Sequence, residues 1–208
     1  MSTEQIEPIY DPLIEVKARC LANLGEEEGG RFYFLWLRLM ELQSQWGELQ
    51  VLLNCSEADR ARLNKYLPSI CRKATDAMWR DMITGIVAFR DGNIQKKTSY
   101  AGLPALRRSL PIEFKARSVT VLDEFKSKIN LIEQMRHNHI SHYLTKAIEL
   151  RQTDKLDQEQ VEIGIDGIRT VLTFFTKARR FPYPQWQGGA AEKGGSESLL
   201  EMLRSLEK

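Results

Sequence analysis

The apolar residues of this chain recur at helical spacing almost throughout, and that pattern constrains the fold more than any other feature. The run Phe32, Leu35, Trp36, Leu39, Leu42, Trp46, Leu49, Leu53 steps by three or four residues through several turns. One face of a long helix must therefore be buried. No stretch shows the strict alternation of a half-buried strand. The expected fold class is all-α, an antiparallel helical bundle with short connections between long helices.

Pro and Gly divide the pattern into elements. Asp11 before Pro12 reads as an N-cap with Pro at the first helical position. The helix it opens would bury Leu13, Val16, Cys20 and Leu24 before breaks at Gly25 and at Gly29–Gly30. Pro68 separates a short helix from one expected to bury Ile70, Ala74, Ala77, Met78, Met82, Ile86 and Phe89. Asp91–Gly92–Asn93 reads as a turn. A mostly irregular stretch follows, with a helical turn at Leu103, Leu106 and Leu110. Pro111 opens a very long helical pattern, Ile112 to Leu150, and Asp154 to Asp157 is polar enough for a loop. The last core helix carries Val161, Ile165, Ile168, Leu172 and Phe175. Gly164 and Gly167 each cost it about 1 kcal/mol of propensity relative to Ala. A close helix contact would account for their presence.

With 208 residues, the expected organisation is one helical domain over residues 1–181. Residues 182–208 would form a linker and a small amphipathic helix packing on that domain. Phe181 to Ser196, rich in Pro, Gly and Gln, reads as a draped tail whose rings anchor it. Ser198–Leu–Leu–Glu201 resembles a capping box. The helix behind it carries Leu199, Leu200, Met202, Leu203 and Leu206.

Composition narrows the function classes. Hydrophobic residues make up 42% and charged residues 28%, which reads as globular and soluble. The longest apolar run, Phe32 to Met40, includes Arg38 and falls well short of the ~20 residues that span a bilayer. No signal-peptide pattern opens the chain, so the expected location is cytoplasmic, with no membrane partner. Cys20, Cys55 and Cys71 lack CxxC spacing and are expected to be reduced, packing as small apolar groups. A net charge of +2 does not require a nucleic-acid partner. Local basic clusters, Lys96–Lys97, Arg107–Arg108, Lys115 with Arg117, and Lys177 with Arg179–Arg180, permit one.

The segment "RHNHISHYL", Arg136 to Leu144, contains all three histidines of the chain. His139 and His142 are three residues apart on a helical pattern, with no cysteine near. They fall short of the three or four ligands that zinc takes, so no metal and no cofactor is expected. Arg136 is the stronger anomaly. The stripe Leu122, Phe125, Ile129, Ile132, Ile140, Tyr143, Ala147 should face inward, and Arg136 falls in its middle. A guanidinium on such a face is costly unless it has partners or lines a cavity.

Arg136 followed by polar His137 and Asn138, and then by His142, resembles the signature of the HEPN superfamily, the higher eukaryote and prokaryote nucleotide-binding domains. The order "MWRDMITGIVAFRDG", "LPALRRSLP", a long helix ending in "RHNHISH" and a closing "GGSESLLEMLRSL" is most similar to the AbiU-type, abortive-infection branch. The resemblance covers roughly Arg31 to Leu206. It implies a HEPN-type bundle with extra N- and C-terminal helices. It also implies a metal-independent endoribonuclease acting on RNA, as a toxin or phage-defence effector. A homodimer uniting two motifs, and an antitoxin or other protein partner, go with that reading. The alternative it leaves is a non-catalytic HEPN-like module that binds nucleotide, RNA or protein. One family variant has Tyr two positions after the His. Leu144 stands there in this chain, and Tyr143 directly follows His142.

The implied chemistry suits these residue types. When the ribose 2′-OH attacks its own phosphate, a base must take a proton, a cation must steady the phosphorane and an acid must protonate the leaving 5′-oxygen. His, with an unperturbed pKa near about 6.5, can fill either proton-transfer role. Arg holds phosphate oxygens with a fixed, always charged fork. The resemblance thus assigns proton transfer to His142 and phosphate to Arg136. His137, Asn138, His139 and Tyr143 would be secondary contacts, and Glu133 would orient Arg136. On an ideal helix Arg136 and His142 are separated by about 9 Å of rise and about 240° of rotation. Either the helix bends there, or each residue works with its counterpart across a dimer axis.

Overall fold

A single glycine sets the first geometric feature. Gly25 lies at φ 82°, a backbone region open to glycine, and turns α1 (Pro12–Leu24) directly into α2 (Glu26–Leu53). The computed structural model describes residues 12–90, 102–141, 155–182, 184 and 195–206. Gly29 and Gly30, expected as breaks, lie inside α2. Their spacing from Gly25 reflects packing instead of termination. A Cβ on Gly29 would sit 2.7 Å from the Cys20 carbonyl carbon and 2.8 Å from Leu21 Cα, so α1 folds back on α2 at backbone contact. Cys20 and Leu24 are buried there, and burial pushes the Cys20 thiol up to about 11.

After α2 come α3 (Glu57–Tyr66), α4 (Pro68–Ala88), the short α5 (Leu103–Leu106) with a 3₁₀ turn at Arg107–Ser109, then α6 (Ile112–Lys128), α7 (Asn130–Ser141), α8 (Lys155–Ala178) and α9 (Ser196–Ser205). The described residues are helices and their connections, with no strand. Phe32 of α2 stacks on Phe175 of α8 at 5.5 Å, while Gln50, near the other end of α2, bonds Glu162 near the start of α8. These two helices therefore run antiparallel. Leu42 meets Gly85, and Trp46 lies 6.2 Å from Trp79, so α2 and α4 are antiparallel as well. Gly167 faces Phe125 and Phe174 meets Phe114, which sets α8 antiparallel to α6.

The core lies where α2, α4, α6–α7 and α8 meet. The expected stripe of α2 is buried from Phe32 to Leu49, with Leu53 half-buried, and Val161, Ile165, Ile168, Leu172 and Phe175 of α8 are all buried. Each such side chain contributes roughly 1.5–3 kcal/mol when removed from water. Gly164 and Gly167 take the role anticipated for them. A Cβ at Gly164 would lie 2.8 Å from Ile132 and 2.9 Å from Ile86. One at Gly167 would lie 2.8 Å from Phe125.

Four expectations are corrected. In the first half of α4 the inward face is Leu67, Cys71 and Met78, continuing into Trp79, Met82, Ile83 and Ile86. Ile70, Ala74 and Ala77 are exposed, because the burial of Trp79 and Ile83 turns them outward. The single helix expected from Ile112 to Leu150 is interrupted at Ile129 (φ −91°, ψ 5°), where Lys126 and Lys128 favour a C-terminus. The segment 142–154 lies outside the described residues, but Lys155 to Asp157, expected as loop, already belongs to α8. Finally, α9 starts at Ser196, two residues before the supposed cap Ser198. A carboxylate from another helix explains this, since the Ser196 N–H donates to Glu48 of α2. The turn at Asp91–Gly92–Asn93 lies outside the described residues.

A second, smaller core forms under α9. Leu200 and Leu203 close on Leu63 of α3, with Leu52, Cys55, Leu67 and Cys71 around them, while Met202 and Leu206 face out. The three cysteines are free. A buried carboxylate fastens this contact. Asp59, 3% exposed, accepts from Arg204 at 3.0 and 2.7 Å, from Arg62 at 2.9 Å and from the Ser56 hydroxyl at 2.8 Å. The Asp59 N–H in turn donates to Ser56 Oγ, capping α3. The draped tail is also seen in part: Phe181 is buried edge-on against Phe32, and the Trp36 indole donates to the Pro184 carbonyl at 3.3 Å.

Two measurements test this packing. Gly29→Ala should destabilise by about 1–3 kcal/mol through backbone collision, although Ala is the better helix former. Gly30→Ala, with nothing within 4 Å, should gain up to about 1 kcal/mol. Urea denaturation of both variants checks the contrast, and equal effects would refute the close α1–α2 contact. The Arg204 guanidinium, then Ser56 and Arg62, hold the Asp59 carboxyl well below the usual carboxylate range. Its contribution is therefore complete above its unfolded pKa of about 3.9 and is lost as pH falls toward the lower folded value. Protection factors of the Leu199 to Leu203 amides, which are corrected for the intrinsic pH dependence of exchange, should be steady from about pH 5 to 8 and fall below about pH 4. Asp59→Asn should abolish that acid-specific step.

Candidate functional site

The interruption at Ile129 positions the site. The Ile129 N–H still donates to Phe125 and its carbonyl still accepts from Glu133 at 2.9 Å, so α7 continues after one irregular residue. Within α7 the inward face is set by Ile132, which with Ile129 is fully buried. Arg136 lies seven residues after Ile129 and four after Ile132, on that same face. It is half-buried, and it does not stand free of interactions there. The stripe expected before Arg136 is thus buried from Leu122 to Ile132, while its continuation through Ile140, Tyr143 and Ala147 lies outside the described side chains. The helix places it beside α4 and α8, the two helices that α7 packs against most.

Glu133 is half-buried one turn before Arg136. Its Oε2 forms an ion pair with Nη1 of Arg90, just past the end of α4. The side chains are 26% and 31% exposed, intermediate between surface and core, so the pair stabilises by at most about 1 kcal/mol. Sequence reasoning assigned Glu133 to Arg136, its neighbour at i+3, and missed Arg90. No periodicity links positions 43 apart. The only sequence signal is a cation at the end of α4, where helix C-termini favour one. The pair ties α7 to α4 one turn ahead of Arg136 and so restricts how α7 can slide.

The other expected site residues are placed less fully. His137, Asn138 and His139 lie on the backbone of α7, and their side chains are outside the described residues, as are His142 and Tyr143 altogether. The structure therefore brings Glu133 and Arg136 onto one segment but does not join Arg136 to His142. Among the described residues no group of three or more His, Cys, Asp or Glu gathers in a way that could hold a metal ion. No described helix is long and apolar enough to cross a membrane. Of the aromatic tail residues, Phe181 is committed to the core against Phe32 and is not available to stack on a base.

What the described part of the site can do is limited and definite. It presents one permanent positive charge at the edge of the core, on a helix fixed by two neighbours, immediately before a run of imidazoles. Comparison with models of known families, with curated proteins and with solved structures gives no match.

The Arg90–Glu133 pair is open to a double-mutant cycle. Arg90→Ala and Glu133→Ala should each destabilise, with a coupling energy of about 0.5–1 kcal/mol. Strict additivity in urea melts would show that the two residues do not act on each other.

Proposed function

We propose that this chain is a metal-independent endoribonuclease of the HEPN type, acting as a dimer and serving as a toxin or phage-defence effector. The observation that carries this reading is Arg136: a half-buried guanidinium in register with fully buried Ile129 and Ile132, leading directly into His137, His139 and His142. A planar, always charged fork at the edge of the core suits a phosphate. The all-helical architecture of the described residues is compatible with that reading. In this reading Arg136 binds the scissile phosphate and steadies its developing charge. His142 moves the proton. His137, Asn138, His139 and Tyr143 contact the flanking RNA.

One His142 cannot be base and acid at once, and six helical residues separate it from Arg136. Two protomers with their motifs facing each other would solve both problems. In that arrangement Arg136 of one copy serves the same phosphate as His142 of the other.

The test uses purified full chain and RNA in EDTA. Cleavage should occur, His142→Ala should reduce it by about 10²–10⁴-fold, and Arg136→Ala by about 10²–10³-fold, with circular dichroism unchanged. Mixed dimers of the two variants contain one intact Arg136–His142 pairing only if the pairing crosses the axis. Partial recovery of activity on mixing would support a pairing across the axis; recovery stays below the unaltered dimer because the mixed dimer keeps a single His142. Cleavage that persists in both single variants would refute the proposal. RNA binding without cleavage by the unaltered chain would select the non-catalytic module instead.

A further inference from the structure

Three basic clusters that lie far apart in sequence meet at one end of the bundle. Arg179, at the end of α8, donates from Nη1 to the Ser109 carbonyl at 3.2 Å, which sets it against the 3₁₀ turn carrying Arg107 and Arg108. Arg107 shares a crevice with Ser118 and Val121 of α6 and Phe174 of α8. Arg117 of α6 lies over the Phe174 ring at 5.8 Å. Lys177 follows Phe174 by one turn, and Arg180 follows Arg179. Both are exposed, as are Arg107, Arg108 and Arg117.

Some cations elsewhere on the surface are neutralised locally, although Lys17, Arg72, Lys73 and Lys128 are exposed with no ion pair among the described residues. Arg19, Arg31, Arg38, Lys126 and Arg169 each pair with a carboxylate three or four residues away on the same helix. None of the six cations at this end makes an ion pair among the described residues. Arg117 has Glu113 at i−4, a spacing suited to pairing, yet its guanidinium lies on Phe174 instead. The acidic first turn of α2, Glu26 to Glu28, is the other nearby negative group, since Phe32 packs on Phe175 and Phe181. Its Glu27 is taken by Arg31. Attraction to the carbonyls that end α8 accounts for Lys177, Arg179 and Arg180. It does not account for Arg107, Arg108 and Arg117, which arrive on two other elements.

We infer that this end of the bundle is a binding surface for the phosphate backbone of single-stranded RNA, separate from the Arg136 motif. Five of the six cations are arginines, whose planar fork matches phosphate oxygens better than an ammonium does. Two are already held, Arg179 by Ser109 and Arg117 by Phe174, so less side-chain freedom is lost on binding. The choice of RNA among polyanions rests on the ribonuclease reading; the convergence of the cations does not. From Arg117 to Arg136 the path along α6 and α7 is at most about 30 Å. A strand of roughly ten nucleotides at 3.4 Å each would cover that distance. The surface would therefore hold a long substrate at a second point while the motif cuts it, and favour long RNA over short fragments.

The probe is a fluorescein-labelled, uridine-rich 2′-O-methyl oligoribonucleotide, which lacks the attacking hydroxyl and reports binding alone. The unaltered chain should bind it with log K falling as log salt rises. Arg108→Glu combined with Lys177→Glu, both exposed and clear of the core, should weaken binding at least about tenfold and flatten the salt slope by about 1.4, the share of two phosphate contacts. A thermal melt confirms folding; if the pair perturbs it, Arg108→Gln alone should still weaken binding. Lys73→Glu, which reverses an exposed cation of α4 outside this end of the bundle, should bind the probe within about twofold of the unaltered chain. Equal binding by the charge-reversed variant, or stronger retention on vesicles containing phosphatidylserine than on the RNA, would overturn the inference. Cleavage of RNA that is indifferent to Arg108 and Lys177 would leave the nuclease reading standing without this surface. Patch-dependent binding with no cleavage would leave the surface without the nuclease.

Discussion

The close approach of α8 to its neighbours is the contact on which the rest of the bundle depends. Gly164 and Gly167 leave two gaps on the buried face of an amphipathic helix, and Ile132, Ile86 and Phe125 fill them. Three helices are thereby fixed against a fourth by shape and not by charge. Because interiors are packed at crystal-like density, small shifts at those positions are resisted by everything around them. That rigidity reaches Arg136 directly, since Ile132 is one turn before it on α7. The propensity lost at two glycines, about 1 kcal/mol each, is small beside the several buried side chains their absence of Cβ admits.

Charge is used in two ways around this core. Asp59 is almost fully enclosed and bonded by Arg204, Arg62 and Ser56. Leaving such a carboxylate with a partner removed would cost far more than the pair contributes, so the contact selects one seat for α9 more than it adds stability. The Arg90–Glu133 pair is half open to water and acts as a local tie between α4 and α7. Helical pairs such as Arg38–Glu41 are exposed and contribute a few tenths of a kcal/mol.

How much of this could be read beforehand follows from what the pattern encodes. The α2 and α8 stripes were legible because large apolar side chains repeat there without ambiguity, and nothing polar interrupts the face. The first half of α4 was misread because Ala74 and Ala77 are too small to define a face. Trp79 and Ile83, which do define it, turn Ile70 outward. Gly29 looked like a stop because a glycine's role as a spacer depends on a partner helix that the local sequence does not show. The start of α9 was missed for the same reason, its cap being Glu48 from a different helix. Of the candidate site, Arg136 was legible as a charge out of place on a buried stripe. Arg90 was not, because its link to Glu133 exists only after α4 and α7 pack.

The α3–α9 contact also has a consequence in time. Asp59 and Arg204 are 145 positions apart, so Leu63 and the carboxylate beneath it are made long before the residues that cover them. At ribosomal rates of about 5–20 residues per second, that interval is roughly 7–29 s. During it a nascent chain would carry an uncapped apolar patch at the tip of α3. The four-helix core has no such delay between α2 and α4. A chaperone that recognises short apolar segments would find its site there, and the arrival of α9 would end its access.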